Sequence, residues 1–229
     1  MSSQSDERRH FEPGIVPQRR PGKEGGTRDR NRRERTRALC EAAVPLFLEK
    51  GLEPTTVDDI TRAAGVAKGS FYRYFESKTQ LVEALYAPLD QAVDEAMQRC
   101  QGALSRARTA AQLNTAYAAL ASELGTVWMS APALVRLYLQ ESRGPATGAR
   151  EPIRRLSDRM MTGAVDLTNT AHAQGLLRDL PPRVTAIAVI GAVEAMLVQF
   201  FEGGPLGDPA EATSALITMV LDGVRKVGR

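Results

Sequence analysis

The stretch 55–78, TTVDDITRAAGVAKGSFYRYFESK, constrains this chain more than any other. It reads as two short helices about a tight turn, with a third helix starting at its end. Thr56 is placed to cap the first helix, because its hydroxyl can accept a backbone N–H two or three residues on, and Asp58 and Asp59 suit the positive first turn. Val57, Ile60 and Ala64 share one face. Gly65 ends that helix, since glycine reaches left-handed backbone angles without a Cβ clash, and Val66 plugs the angle between the helices. The second helix is expected at about 67–74, with Phe71 and Phe75 inward and Lys68, Ser70, Tyr72, Arg73 and Tyr74 mostly outward. Gly69 costs that helix stability, so something outside it wants a bare backbone there, and close approach of a nucleic acid is the natural candidate. Ser77 caps the third helix. Lys78 at its positive end opposes the helix dipole, a mismatch that a phosphate would repair.

With these features the string resembles the DNA-binding domain of the TetR family of bacterial transcriptional regulators. The resemblance rests on the Thr-capped helix with Ile60, the A-G-V turn at 64–66, K-G-S-F-Y at 68–72 and Y-F-x-S-K at 74–78, and it runs without a gap from about 32 to 85. Thr61 departs from the more usual alanine. The resemblance implies an all-α fold: a three-helix helix-turn-helix DNA-binding domain at 31–77, then a larger helical effector-binding and dimerisation domain at 78–229, of which 78–101 is a linking helix. It further implies Thr56, Ser70, Tyr72, Tyr74 and Lys78 on phosphates, Lys68, Gly69 and Arg73 at base edges in the major groove, and Arg62 in either role. The function implied is a ligand-responsive repressor that binds a palindromic double-stranded DNA operator as a homodimer in the cytoplasm. The alternatives are a ligand-dependent activator, or a helical small-molecule-binding or protein-interaction module without DNA binding.

Composition is consistent with helix packing. Hydrophobic residues make up 43% of the 229 and aromatic ones only 5%, and Ala and Leu dominate. Cys40 and Cys100 lie in helical patterns without metal-ligand spacing and read as small buried hydrophobes. Charge is uneven: residues 1–37 hold 11 Lys and Arg against 6 Asp and Glu, whereas the whole chain nets only +3. Residues 1–30, rich in Pro and Gly without a hydrophobic period, read as a disordered basic arm. Its Arg19, Arg20, Lys23, Arg28 and Arg30 either trail along a minor groove or merely solubilise the chain. No secretory leader is expected, and the most apolar run, 186–201 with Glu194 and Gln199, reads as too short and too polar to span a membrane.

The remaining helices follow from periodicity and punctuation. Residues 32–50 carry Ala38, Ala42 and Leu46 beside Leu39, Ala43 and Phe47 and close at Gly51, with Pro45 inside. The linking helix carries Leu81, Val82, Leu85, Leu89 and Val93, with a kink expected at Pro88. Thr109 caps a helix, Pro132 opens another to about 142, and a longer one runs from about 151 to Gly175. The helix at about 182–202 is apolar almost all round and must be covered on more than one side. With a last helix at about 209–227, which carries Leu216, Met219 and Val220, it is expected to form a four-helix dimer interface.

No catalytic constellation is evident. A phosphate-cradling loop, G-x-S-x-G, H-E-x-x-H and C-x-x-C are all missing from the sequence, so no enzyme activity, cofactor or metal is expected. Tyr117, Trp128, Met129, Tyr138, Met160, Met161, His172 and Phe200 are candidates to line a pocket for a hydrophobic small molecule, although bulky residues at helical spacing commonly build plain core. Glu194, alone in its apolar helix, is expected either to hold a polar end of the ligand or to pair across the dimer.

Overall fold

In a computed structural model of the chain, which describes residues 26–205 and 207–224, the regular elements are helices. They run in the order α1 (Thr27–Lys50), α2 (Val57–Ala63), α3 (Lys68–Phe71), α4 (Lys78–Arg106), α5 (Ala110–Ser130), α6 (Pro132–Glu141), α7 (Glu151–Ala173), α8 (Pro182–Phe201) and α9 (Pro209–Val224), with a 3-10 turn at Gly148–Arg150 before α7.

Helix α1 starts earlier than the arm expectation allowed. Residues 27–30 are helical, because Gly26 is the last breaker and the Arg- and Glu-rich run that follows favours helix. The rest of the expected arm, with Arg19, Arg20 and Lys23, lies outside the described residues. Leu39, Ala43 and Phe47 of α1 are buried against Ile60, Phe71, Phe75, Leu81, Val82 and Leu85, which holds the first three helices on the start of α4. Each of these large side chains contributes about 1.5–3 kcal/mol on burial.

The 29 residues of α4 then carry the chain into the body, ending at Arg106 rather than near 101. One hydrophobic core runs continuously from α1 through Leu89 and Val93 of α4 to Leu134 and Leu137 of α6 and Ile153 and Leu156 of α7. A second cluster joins Cys100 and Leu104 of α4 to Leu113 of α5 and Leu167 and Ala171 of α7. Head and body therefore share packing across the boundary expected at 77. Both cysteines are free and buried, and burial pushes their thiols up to about 12. The caps fall as read: Ser77 Oγ accepts from Gln80 N at 3.2 Å, Thr109 Oγ1 accepts from Gln112 N at 3.3 Å, and Gly175 turns the chain at φ 70°.

Helix α8 is 20 residues long, close to the expected 182–202, and among the described residues it is the one helix long and apolar enough, by length and composition, to cross a bilayer. It packs on α6, α7 and α9. Ala186 is its one fully buried residue, while Val184 and Ile187 are exposed.

Candidate nucleic-acid interface and cavity

The turn at 56–66 is held by local bonds. Thr56 Oγ1 accepts from Asp59 N at 3.1 Å while Asp59 Oδ2 accepts from Thr56 N at 3.0 Å and from the Thr56 hydroxyl at 2.7 Å, a capping box that holds the Asp59 carboxyl below its ordinary range. Gly65 takes φ 66°, and Val66 N donates to Thr61 O at 2.9 Å. The family departure at Thr61 is buried but satisfied, its hydroxyl donating to Asp58 O at 3.2 Å.

Helix α3 is a single turn, shorter than the expected 67–74. Residues 72–74 continue as tight turns in which Arg73 N donates to Ser70 O at 3.2 Å and Tyr74 N to Phe71 O at 2.9 Å. Glycine and the aromatic residues weaken longer helical propagation here, and i→i+3 bonds take over. Phe71 and Phe75 are buried, as expected, with ring centroids 5.6 Å apart. Thr56, Arg62, Lys68, Gly69, Tyr72 and Arg73 are exposed on the surface, and Ser70 and Tyr74 are half-buried. The Arg32 guanidinium lies 5.9 Å from the centroid of the Tyr74 ring.

Two cations on this surface are engaged only loosely. Lys68 Nζ is 2.8 Å from Asp58 Oδ1, and Arg62 Nη1 is 3.5 Å from Asp59 Oδ1. Exposed pairs like these contribute about 0–1 kcal/mol, so either cation can turn to a phosphate or a base edge at little cost. A Cβ built on Gly69 would meet nothing within 4 Å, so no internal packing explains the glycine.

Lys78 differs from its expectation. Its ammonium donates to the carbonyls of Leu52, Glu53 (3.1 Å) and Thr55 (2.9 Å), and burial lowers its pKa. The clash with the helix dipole is therefore relieved by the chain's own carbonyls, and all three N–H donors are taken before any phosphate arrives.

A second feature was not singled out from the sequence. Glu141, at the end of α6, is buried; its Oε2 accepts from Arg150 Nε at 2.6 Å and its Oε1 from Leu52 N at 3.2 Å. Gln140 adds a bond to Phe47 O at 3.4 Å. The α1–α2 connection is thus gripped by Glu141 from the body and by Lys78 from the start of α4. The only sequence signal was an acidic residue at the end of an apolar helix.

The body holds a partly open cavity of about 310 Å³ between α4, α5, α6, α7, α8 and α9. Of the candidate pocket residues, Tyr117, Trp128, Met129, Tyr138, Met160 and Phe200 line it. Met161 and His172 do not. The cavity-facing residues of α7 are Leu156, Met160, Ala164, Leu167 and Thr168, and at about 100° per residue Met161 and His172 fall just past Thr168, beyond the edge of that face. Leu216 and Val220 of α9, read as part of a dimer stripe, also line the cavity, whereas Met219 is exposed. Glu194 is on the wall and paired within the chain: Tyr138 donates to its Oε1 at 2.8 Å and Arg143 to its Oε2 at 3.2 Å. Among the described residues no group of three or more His, Cys, Asp or Glu is placed to hold a metal ion.

The architecture is thus a helix-turn-helix head, whose outward face carries cations, hydroxyls and a bare glycine, packed through one core onto a helical body with a cavity. Residues 39–85 match the model of the bacterial regulatory proteins of the tetR family. The HTH-type transcriptional repressor KstR2 of Rhodococcus jostii is 40% identical over 84 residues, which are 36% of this chain and 41% of that protein. The match to this curated relative therefore spans about two fifths of its length. Solved structures extend the likeness to the body. The ketosteroid transcriptional regulator KstR2 of Mycobacterium tuberculosis superposes with a TM-score of 0.62 at 25% identity, over 84% of this chain and 96% of that one. A TetR family transcription regulator from Marinobacter aquaeolei does so with a TM-score of 0.61 at 21% identity, over 86% and 100%. Residues 39–85 are thus similar to the DNA-binding domain of the tetR family, and the fold as a whole is similar to that of the solved regulators.

Proposed function

We propose that this protein is a ligand-responsive transcriptional repressor, not an enzyme, which works in the cytoplasm and binds a palindromic operator as a homodimer. The observation that carries the reading is the pairing of an exposed, loosely engaged cationic face at 56–73 with an apolar cavity reached through the same α4 and α6 that pack on the head. Thr56, Ser70, Tyr72 and Tyr74 would fix the head on phosphates, with Lys68, Gly69 and Arg73 near base edges and Arg62 in either role. Lys78 would act through the α1–α2 connection it holds. The apolar α8 face with Val184 and Ile187, together with Met219 of α9, would be covered by a second copy, placing two heads on half-sites about one turn (~34 Å) apart.

A hydrophobic ligand would then favour a dimer whose heads no longer match the operator. To swing occupancy from 1:99 to 99:1 it must discriminate between the two states by about 5.5 kcal/mol. The test is selection of genomic fragments retained by the protein at about 150 mM salt, where non-specific phosphate binding is weakened. Enrichment of sites sharing an inverted repeat is the expected result. Retention of random DNA alone overturns the reading. Ile187→Glu should give monomers by light scattering, and an unchanged dimer removes the proposed interface.

A further inference from the structure

The cavity wall is chemically one-sided. Among the described residues that line it, Glu194 is the only acidic or basic one; no Lys, Arg or His of the described residues is on the wall. Arg143, which pairs with Glu194 Oε2, is not a lining residue, and its side chain is 79% exposed against 14% for Glu194. Its charge therefore faces water while the carboxylate faces the apolar space. The polar hydrogens nearby are spent on the protein itself. Tyr138 donates to Glu194, Tyr86 to Leu134 O at 2.8 Å, and Thr168 to Ala164 O at 2.9 Å. Burial keeps the Tyr138 phenol protonated by pushing it well above its ordinary range. The donors left over, the Tyr117 hydroxyl and the Trp128 indole N–H on α5, are uncharged.

We propose that the cavity admits a hydrophobic molecule ending in a hydrogen-bond donor, an alcohol or a protonated amine seated against Glu194, and turns away molecules ending in a carboxylate. This rests on the reading of the cavity as a ligand site. A ligand carboxylate would meet the Glu194 carboxylate, which Arg143 offsets only from the solvent side, and would find no cation on the described wall to receive it. A hydroxyl or ammonium donor instead finds unfilled lone pairs on Glu194, whose two oxygens each accept one bond in this structure.

Trp128, the chain's single tryptophan, lines the cavity and reports occupancy by its fluorescence. The probes are 1-decanol, decylamine and sodium decanoate, equal in chain length and different only in head group, titrated below their aggregation limits at pH 7.5. Decanol and decylammonium should bind at least about tenfold more tightly than decanoate. Glu194→Gln keeps an acceptor for Tyr138 but removes the charge, so it should weaken decylammonium by about fivefold or more and narrow the decanoate gap, leaving decanol nearly unchanged. Decanoate binding as tightly as decanol to the native protein overturns the inference while leaving the ligand site standing. An unchanged ranking in Glu194→Gln overturns the role of Glu194. If none of the three probes binds, the reading of the cavity falls and the inference with it. Should the variant fold poorly by circular dichroism, the ranking in the native protein still decides.

Discussion

Replacing Glu141 with alanine should destabilise the fold by about 3–5 kcal/mol, the usual cost of removing one partner from a buried ion pair. Glu141 is 5% exposed, and the side chain of Arg150, which donates to it at 2.6 Å, is 19% exposed, so the substitution strands a guanidinium largely out of water. It also orphans Leu52 N, which donates to Glu141 Oε1 at 3.2 Å beneath a fully buried leucine; an unsatisfied buried N–H costs about 1–3 kcal/mol. The two losses share one carboxylate and overlap, which keeps the total near the upper end of the range rather than at its sum. Pairing Glu141→Leu with Arg150→Met removes the stranded charge and should leave only the Leu52 deficit, about 1–3 kcal/mol below the native protein. The assay is urea unfolding followed by far-UV circular dichroism at one fixed protein concentration, since dimerisation would couple stability to concentration. In thermal melts a loss of this size corresponds to a fall of about 6–20 °C for a chain of this length. A single substitution costing under about 1 kcal/mol, or a double variant as unstable as the single, would refute the buried-pair reasoning.

Gly69→Ala should leave the fold intact or stabilise it by up to about 1 kcal/mol, because a Cβ there meets nothing, yet weaken operator binding about tenfold in an anisotropy titration. Unchanged DNA affinity would mean that the bare backbone serves no partner. Lys78→Met should cost about 1.5–3 kcal/mol by removing charged hydrogen bonds to the α1–α2 connection. If the residue contacts phosphate instead, stability holds and the slope of log affinity on log salt falls by about one. Asp59 is a carboxylate whose folded pKa is lowered, first by the Thr56 hydroxyl bond, below its ordinary 3.8. Its contribution is therefore present above that value and lost as pH falls through the folded value. Asp59→Asn should flatten the decline in melting temperature below about pH 4, and an identical acid profile in both proteins would count against the capping box.

Much of the fold was readable from local rules. The caps at Thr56, Ser77 and Thr109 and the left-handed glycines at 51, 65 and 175 each follow from the chemistry of one residue and its near neighbours. Where expectation and structure part, the deciding partner is distant in sequence or one step round a helix. Lys78 was assigned a phosphate from its place on a helix dipole, but carbonyls 23 to 26 residues earlier reach it first. Met161 and Met160 are the same residue type, and one step of about 100° round α7 separates a cavity residue from one that is not.

The sequence by itself determined which segments are helices and where several of them are capped, because capping, glycine geometry and helical period act over three or four residues, while the ends of α3 and α4 fell elsewhere. Tertiary structure alone decided that α6 reaches back to α1 through Glu141, that α8 and α9 share a cavity as well as present an outer apolar face, and that Glu194 is paired inside its own chain. These features depend on helix crossing angles and on contacts between groups about 50 to 90 residues apart, such as Tyr138 with Glu194 and Leu52 with Glu141. Periodicity along one helix carries no record of what the next helix presents to it.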